Sequence, residues 1–169
     1  MTSAPGDANS RSVVARVRGP LLGQASACEP ILRSLPEWFG IESAIVEYAH
    51  AVDRLPTFVA EVDGEPAAFL TLRPTSEFAA EIHVMAVRRH AQRRGLGRAL
   101  LGAAEAHLRG QGTEFLQVKT LAESDPDPNY AATRAFYAAM GFRPLEEIRQ
   151  IWGDENPCQI MVKTVPPSD

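Results

Sequence analysis

Cysteine is scarce in this sequence, and long apolar runs are missing. Only 2 of the 169 residues are cysteines, Cys28 and Cys158, and neither lies at metal-ligand spacing from another cysteine or a histidine. We therefore expect buried free thiols of a reducing compartment, and no metal. No stretch approaches the roughly 18 apolar residues that span a bilayer, and residues 1–10 lack the apolar segment of a secretory signal. The sequence thus predicts a cytoplasmic protein with no membrane partner.

An excess of positive charge is missing as well. The chain has 17 lysines and arginines against 21 aspartates and glutamates, which gives a net charge of -4. Domains that bind nucleic acid usually carry a strongly basic face, so we expect no nucleic acid partner. Apolar residues make up 45% of the chain and charged residues 22%, as in an ordinary globular protein whose length suits one domain.

Several common catalytic and nucleotide-binding motifs do not occur. There is no G-x-S-x-G elbow of a serine hydrolase and no G-x-x-x-x-G-K-[ST] loop of a nucleoside triphosphatase. Gly95 and Gly97 form a G-x-G pair, but Leu100 stands where a dinucleotide-binding fingerprint needs its third glycine. These absences remove the usual nucleotide-binding interpretations of the glycine pair.

The periodicity of apolar residues predicts one α/β domain over residues 11–165, between disordered tails at 1–10 and 166–169. We expect an α+β mixed sheet of about six to seven strands flanked by about four helices. Asp63-Gly64 is typical of a two-residue hairpin turn. The predicted strands cover 11–18, 58–62, 67–72, 81–87, 114–121, 143–151 and 159–165, and the predicted helices cover 30–35, 42–55, 129–140 and a segment from 96 to the glycines at 110 and 112.

The segment from Glu81 to Gly97 contains the strongest functional signal. A strand leads into an arginine-rich turn, and Gly95-Leu96-Gly97 opens an amphipathic helix. The first N–H groups of a helix have no partner within it, its dipole is positive at that end, and glycine allows close approach of a ligand. Four arginines surround the turn: Arg89, Arg93, Arg94 and Arg98. This pattern favours a ligand that carries phosphate, although a glycine turn with solvated arginines is the alternative.

The run Gln92-Arg93-Arg94-Gly95-Leu96-Gly97 resembles the Q/R-x-x-G-x-G/A pyrophosphate motif of the GNAT acetyltransferases, and it follows a strand that ends in Met85-Ala86-Val87. The run from Arg134 to Phe142 is similar to the helix signature of that family, in which a tyrosine precedes a Gly-Phe pair. The two matches and the order of elements extend over about residues 58 to 165. The resemblance implies the GNAT acyl-CoA N-acyltransferase fold and the transfer of an acetyl group from acetyl-CoA to a primary amine.

The resemblance also implies which residues hold acetyl-CoA. The central strands of the family splay apart, and the backbone of Met85, Ala86 and Val87 would pair with the pantetheine arm like an added strand. Family members often have an asparagine seven residues before the helix tyrosine, where this chain has Tyr130; Asn129 either contacts the pantetheine arm or only caps the helix. Backbone N–H groups would bind the pyrophosphate, and these belong to Gln92, Arg93, Arg94, Gly95, Leu96, Gly97, Arg98 and Ala99.

Two side chains are catalytic candidates by the same resemblance. Tyr137 matches the family tyrosine that protonates the departing thiolate, and its alternative is a tyrosine packed in the core. Glu81 matches the glutamate that deprotonates the amine in the histone-acetylating branch, and its alternative is an exposed carboxylate at a strand end. His83 lies two residues along the strand, hence on the same face, and either relays the proton or is a satisfied core histidine.

The acceptor side is the least defined. In this fold the connection between the first two helices usually contributes to the acceptor pocket, and here it supplies Trp38 and Phe39 beside Glu37. With Trp152, Asp154 and Glu155 these suit a cationic amine, although aromatic residues of a small domain are more often core. Neither cysteine lies near the two motifs, which favours direct attack by the amine in a ternary complex. A non-catalytic acyl-CoA-binding or sensing domain is the alternative function, and the resemblance also allows a homodimer.

Overall fold

A computed structural model describes residues 15–169. The predicted tail at 1–10 and positions 11–14 of the first predicted strand lie outside the described residues, and the domain limits 11–165 stay a prediction. In chain order the elements are β1 Ala15–Leu21, α1 Ala25–Arg33, α2 Glu42–Arg54, β2 Thr57–Val62, β3 Glu65–Pro74, β4 Ala79–Val87, α3 Leu96–Gly110, β5 Phe115–Leu121, α4 Pro128–Ala139, β6 Arg143–Ile148 and β7 Cys158–Thr164. In the described residues the strands form one mixed sheet in the order β1-β2-β3-β4-β5-β7-β6, in which only β4 and β5 pair in parallel.

The hairpin between β2 and β3 confirms the turn prediction. Val62 pairs with Glu65, and Asp63 and Gly64 between them have φ angles of 52° and 82°. Positive φ at both central residues is the backbone of the turn that follows the right-handed twist of two adjacent strands. The position of this hairpin could therefore be predicted from two residues.

The first helix begins earlier than predicted. Helix α1 starts at Ala25 and contains Pro30, where the prediction began. The carbonyl of Gln24 accepts the N–H groups of Ala27 and Cys28, so the first turn forms without a side-chain cap. Cys28, Ile31 and Leu32 are buried at helical spacing. Proline removes one hydrogen bond, and this buried stripe stabilises the helix despite that loss.

Both faces of the sheet are covered by apolar side chains. The stripe predicted on α3, which runs from Leu96 to Leu108, is buried and packs in one cluster with strands β2 to β5 and with Tyr137. Helices α1 and α2 cover the opposite face, where Ile31 and Ile45 pack with Val84. Between residues 15 and 169 no helix is both long and apolar enough to cross a membrane.

Strands β4 and β5 part in the middle of the sheet. They pair only from Ala79↔Phe115 to Ile82↔Val118. Beyond these pairs β4 continues to Val87 beside β3, and β5 continues to Leu121 beside β7. At the same point β4 has an irregularity, because Thr71 pairs with Val84 and Leu72 with Ile82, which leaves His83 as an extra residue. The divergence opens a slot in the sheet, and the bulge lies at its apex.

Candidate active site

A cavity of about 1070 Å³ occupies the slot between β4 and β5. Its walls come from the ends of these strands, the glycine turn, one face of α4, and the connection between α1 and α2. The sequence predicted β4, the glycine turn, α4 and the connection between α1 and α2 as parts of one site, but it did not predict β5.

The edge of β4 that faces the slot has free backbone groups. The N–H of Arg88 donates to the carbonyl of Ala67 on β3 at 2.8 Å. Backbone groups of successive strand residues point in opposite directions, so those of Met85 and Val87 point away from β3 and into the slot. The side chain of Gln92 donates to the Val87 carbonyl at 3.1 Å, and this bond caps the end of the edge. The remaining groups are arranged to accept an extended ligand as an added strand.

The turn after β4 forms a concave surface of backbone donors. Arg93 and Gly95 have φ angles of 60° and 80°, and α3 begins at Leu96 with no side-chain cap. In the described part of the chain, the N–H groups from Arg93 to Arg98 have no protein acceptor. Left-handed residues beside a helix start direct successive N–H groups toward one point, where they bind an anion.

Two of the residues expected to donate to a pyrophosphate do not have a free N–H group. The N–H of Gln92 donates to the carbonyl of Arg89 at 3.3 Å, which closes a short 3₁₀ turn. The N–H of Ala99 donates to the carbonyl of Gly95 at 3.0 Å, because Ala99 is the first residue with a helical acceptor four positions back. The prediction that the N–H groups of Gln92 and Ala99 are free to bind a pyrophosphate was wrong. The set of free backbone donors narrows to residues 93–98.

Helix α4 forms the wall opposite this turn. Its N-cap is Asp127, whose carboxylate accepts the N–H of Asn129 at 2.8 Å. The alternative that Asn129 caps the helix is therefore wrong. Asn129 lies in the first turn of α4 and lines the cavity. The hydroxyl of Tyr130 donates to the Trp38 carbonyl at 3.4 Å, which ties the connection between α1 and α2 to this helix.

Tyr137 is held rigidly at the wall of the cavity. Its ring is 4% exposed and lies edge-on between Phe136 and Phe142, with both centroid separations at 5.3 Å. Burial raises the pKa of Tyr137, because the apolar surroundings disfavour the phenolate. A neutral phenol at the wall of the slot is available to donate a proton.

Glu81 is buried rather than exposed. The residue is 4% accessible, so the alternative of an exposed carboxylate at a strand end is wrong. One carboxylate oxygen lies 2.8 Å from Nη2 of Arg73 and 3.3 Å from Nζ of Lys119, and the other lies 3.4 Å from the same Nζ. The three side chains come from three adjacent strands, β3, β4 and β5. Both oxygens of Glu81 thus already contact cations.

His83 projects into the cavity from the bulge of β4. It is half-buried and packs edge-on against Tyr48 of α2, with the ring centroids 5.5 Å apart. Burial lowers the pKa of His83, the charges of Arg73 and Lys119 lower it further, and Glu81 opposes the shift. Within residues 15–169 the imidazole makes no hydrogen bond, so it is not a satisfied core histidine. The lowered pKa favours the neutral imidazole, which is the form that accepts a proton.

Trp38 and Phe39 both line the cavity, each half-buried rather than fully exposed or in the core. The indole N–H of Trp38 donates to the hydroxyl of Thr133 on α4 at 3.3 Å. Phe39 packs edge-on against Tyr48 at 5.8 Å. These contacts make the two residues a rigid aromatic wall beside His83.

The acids expected to attract a cationic amine are not in the cavity wall. Glu37 pairs with Arg89, and neither Asp154 nor Glu155 lines the cavity. Among the described residues, Glu81 is the only carboxylate of the lining. The aromatic part of the acceptor-pocket prediction agrees with the structure, and its acidic part was wrong.

The sequence profile of the Acetyltransferase (GNAT) family matches residues 24–142. This chain belongs to the GNAT family of acetyltransferases. The match covers the predicted pyrophosphate motif and the tyrosine helix, and it confirms the family and the enzyme class that the resemblance implied. None of the curated proteins searched matches this GNAT chain.

Solved structures share the GNAT fold at low sequence identity. A protein assigned to the GNAT family from Desulfovibrio desulfuricans is 22% identical with a TM-score of 0.79, over 90% of this chain and 100% of its own. The ribosomal-protein-S18-alanine N-acetyltransferase of Escherichia coli is 22% identical with a TM-score of 0.73, over 92% and 97%. A Salmonella typhimurium protein, solved with acetyl-CoA as its cofactor, is 17% identical with a TM-score of 0.66, over 91% and 95%. The predicted fold class is thereby confirmed.

Four residues that line this GNAT site were not predicted from the sequence. Arg73, Lys119 and Tyr48 surround Glu81 and His83, and no local motif marks them. Thr120 lines the slot next to Lys119, and its hydroxyl is buried without a hydrogen-bond partner in the part of the chain that the structure describes. The pairing of β3, β4 and β5 brings Arg73, Lys119 and Thr120 to the slot, and the packing of α2 on the sheet adds Tyr48. Neither arrangement can be predicted from one segment of the sequence.

The remaining thiols and acids of this acetyltransferase do not form a further site. Cys28 and Cys158 are buried and free, as the sequence predicted. No three histidine, cysteine, aspartate or glutamate side chains among residues 15–169 converge in a way that holds a metal ion.

Proposed function

We propose that this GNAT acetyltransferase binds acetyl-CoA in the slot between β4 and β5 and transfers its acetyl group to a primary amine. The observation that carries the proposal is the continuity of two free backbone surfaces. The unpaired edge at Met85 and Val87 leads directly into the free N–H groups of residues 93–98. An extended arm that ends in a pyrophosphate matches this order of binding groups. A similar structure, the Salmonella typhimurium protein, has acetyl-CoA as its cofactor.

The residues present fit this co-substrate. The N–H groups of Arg93 to Arg98 would hold the pyrophosphate, and the arginines of the turn would add formal charge. The backbone groups of Met85 and Val87 would pair with the pantetheine arm. Those of Ala86, between them, face β3 instead. Asn129 and Thr120 line the walls of the slot. Acetyl-CoA supplies an acetyl thioester at the apex, where β4 and β5 part.

We propose that the amine attacks the acetyl carbon directly, in a ternary complex. An amine with a pKa near 10 is mostly protonated at neutral pH and must lose a proton before attack. His83 is suited to accept it, because the imidazole is neutral, faces the cavity and makes no hydrogen bond within residues 15–169. Glu81 is less free to act, since its oxygens already contact Arg73 and Lys119. It positions these two cations.

Tyr137 is proposed as the donor that protonates the departing thiolate. The ring is fixed by Phe136 and Phe142, and the hydroxyl is kept neutral by burial. Proton transfer by a positioned side chain contributes on the order of 10²-fold or more to a rate. Tyr137→Phe is therefore expected to lower kcat by about 10²-fold without weakening acetyl-CoA binding.

Calorimetry with acetyl-CoA, followed by thiol release with a panel of amines, tests the proposal. We expect saturable binding of acetyl-CoA and release of coenzyme A that depends on an amine. Tyr130→Phe is the matched control for Tyr137→Phe, because it removes another phenol that α4 presents to the cavity and should cause a much smaller loss of kcat. Binding without turnover across amino acids, polyamines, aminoglycosides and peptides would favour the non-catalytic binding domain instead.

A further inference from the structure

The charges that line the cavity are unbalanced. Among the described residues, the lining has one carboxylate, that of Glu81, and five cationic side chains: Arg73, Arg89, Arg93, Arg98 and Lys119. Three of the cations, Arg89, Arg93 and Arg98, lie at the glycine-turn end, where the proposed function places phosphates. Arg73 and Lys119 lie at the other end, beside Glu81 and His83. One carboxylate neutralises one of these two, so the acceptor end keeps a net positive charge.

Both cations at the acceptor end keep unused donors. Arg73 contacts Glu81 through Nη2, while its Nε is buried and has no partner in the described part of the chain. Its side chain is 42% exposed. Lys119 contacts Glu81 only at 3.3 and 3.4 Å. A guanidinium has five N–H donors and an ammonium has three. Arg73 and Lys119 together can therefore bind a second carboxylate besides that of Glu81.

We propose that Arg73 and Lys119 bind a carboxylate of the acceptor, so that the acceptor is a free amino acid. This inference rests on the proposed function. Arg73 and Lys119 contact Glu81, which is two residues from His83 on the same strand. A ligand that reaches from these cations to His83 therefore has its carboxylate and its amine close together. Such spacing is that of an α-amino acid or a close homologue. A polyamine or an aminoglycoside would place further positive charge against Arg73 and Lys119.

The cavity also has a wall for an apolar side chain. Trp38, Phe39 and Tyr48 form one aromatic surface beside His83. Ile151 and Trp152, which are 40% and 42% exposed, line the mouth. Amino acids with large apolar or aromatic side chains would bury that surface, which water otherwise covers. Phenylalanine and leucine represent this class.

The transfer balances with the residues in place. The lone pair of the amine nitrogen forms the new bond to the acetyl carbon, and the bond from that carbon to sulphur breaks. His83 accepts the proton that the ammonium loses before attack and passes it to water. The nitrogen loses a second proton as the amide forms, and the sulphur gains one from Tyr137. The second proton returns through water to the Tyr137 phenolate, so one proton is released in total. The products are an N-acetyl amino acid and coenzyme A with a free thiol. The product keeps its carboxylate, so Arg73 and Lys119 bind it as well.

Matched acceptors test the inference on the whole protein. Thiol release is measured with phenylalanine and leucine against phenylalaninamide and leucinamide, which lack only the carboxylate charge. We expect kcat/KM to be about 10-fold to 100-fold higher for the acids, as for hydrogen bonds between charged groups. An amide lowers the basicity of its neighbouring amine and leaves more of it unprotonated, so amine reactivity does not explain a preference for the acid.

A variant identifies the groups responsible. Lys119→Met should reduce the ratio of kcat/KM for the acid over the amide toward one, and Lys119→Arg should retain that ratio. Arg16→Met is the control, because it makes the same charge change at an exposed position on β1. It should leave the ratio unchanged. Melting temperature and acetyl-CoA affinity show whether each variant is folded. If Lys119→Met does not fold, inhibition of the wild type is compared for N-acetylphenylalanine and its amide, and only the acid should inhibit.

Four outcomes overturn the inference. Equal or better turnover of the amides overturns it and leaves the proposed function intact. A preference for polyamines or aminoglycosides over every amino acid does the same. Retention of the acid preference in a folded Lys119→Met variant overturns the assignment to Arg73 and Lys119. If acetyl-CoA binds and no amine is turned over, the proposed function fails, and the inference fails with it.

Discussion

A Cβ atom added to Gly97 would lie 3.0 Å from Cζ of the Phe136 ring. The first turn of α3 therefore packs against α4 at a distance that leaves no room for a methyl group. Phe136 in turn packs edge-on against Tyr137 at 5.3 Å. Gly97 in the first turn of α3 is thus connected through the Phe136 ring to the proposed proton donor, Tyr137.

Gly97→Ala should disturb both helices. The same change at Gly102, an exposed position of α3 with nothing within 4 Å, should stabilise the protein by about 0.5–1 kcal/mol through helix propensity. At Gly97 this gain is offset by overpacking, which typically costs about 1–3 kcal/mol. Chemical denaturation of the two variants measures the difference. Equal stabilisation would show that Phe136 moves aside without cost, and an unchanged kcat would show that Tyr137 does not follow it.

His83 should make stability depend on pH. Tyr48 of α2, Arg73 of β3, Glu81 of β4 and Lys119 of β5 face the imidazole, and burial with the two cations lowers its pKa in the folded state. An unfolded histidine binds its proton near pH 6.5, so the unfolded state binds more protons just below that pH. Stability then rises with pH through this range and falls on acidification.

The prediction is checked against a variant without the imidazole. The free energy of unfolding is measured at pH 7.5 and at pH 5.5 for the wild type and for His83→Gln. The wild type should lose more stability on acidification than the variant, because only the wild type has the shifted group. Parallel losses would contradict the lowered pKa. The acid side of the kcat/KM profile should also flatten in the variant if His83 accepts the amine proton.

Thr120 and Thr57 should respond in opposite ways to the same substitution. Both hydroxyls are buried. The Thr57 hydroxyl lies 2.9 Å from the Thr71 hydroxyl and donates at 3.0 Å to the Leu55 carbonyl. The Thr120 hydroxyl has no hydrogen-bond partner within residues 15–169. Thr57→Val should cost about 1–3 kcal/mol, because it leaves buried groups unsatisfied. Thr120→Val should be neutral or stabilising. A higher KM for acetyl-CoA in Thr120→Val would show that a ligand uses this hydroxyl, and a large loss of stability would contradict the prediction.

The two cysteines should be unreactive in the folded protein. Burial, with a smaller contribution from the Asp53 carboxylate, raises the pKa of Cys28 to about 12. Burial also raises the pKa of Cys158. The thiolate is the reactive form, so a chromogenic thiol reagent at pH 8 should label the native protein slowly and both cysteines after unfolding. Rapid labelling of the native protein would contradict this. Slow labelling would leave thiol release by coenzyme A free of background.

Local features of the sequence predicted most of the fold. Asp63-Gly64 placed a hairpin, the spacing from Leu96 to Leu108 placed the buried face of α3, and Gly95 marked the turn before it. Each signal lies within one segment, where the preference of a few residues decides the conformation. The start of α1 was missed for a related reason, because Pro30 usually marks the beginning of a helix and here lies inside one.

The acceptor end of the site could not be predicted in the same way. Lys119 lies 38 residues after Glu81 in the sequence, and Arg73 lies on the strand before that of Glu81. The three side chains meet through the pairing of Arg73 with Glu81 and of Ile82 with Val118. Apolar alternation determines which residues face the core, but not which strands become neighbours. The extra residue at His83 also depends on that pairing. The two cations that line the cavity beside Glu81 were therefore not predicted.

The unpaired edge of β4 should be visible in the exchange of amide protons with deuterated water. Ala86 and Arg88 face β3, where Arg88 donates at 2.8 Å to Ala67, whereas Met85 and Val87 face the slot. Protection should therefore alternate along one strand, slow at 86 and 88 and fast at 85 and 87. Saturation with acetyl-CoA should remove the alternation, because the ligand would take the place of a missing strand. The sheet would then be complete only while acetyl-CoA is bound, with the pantetheine arm of the ligand as its additional strand.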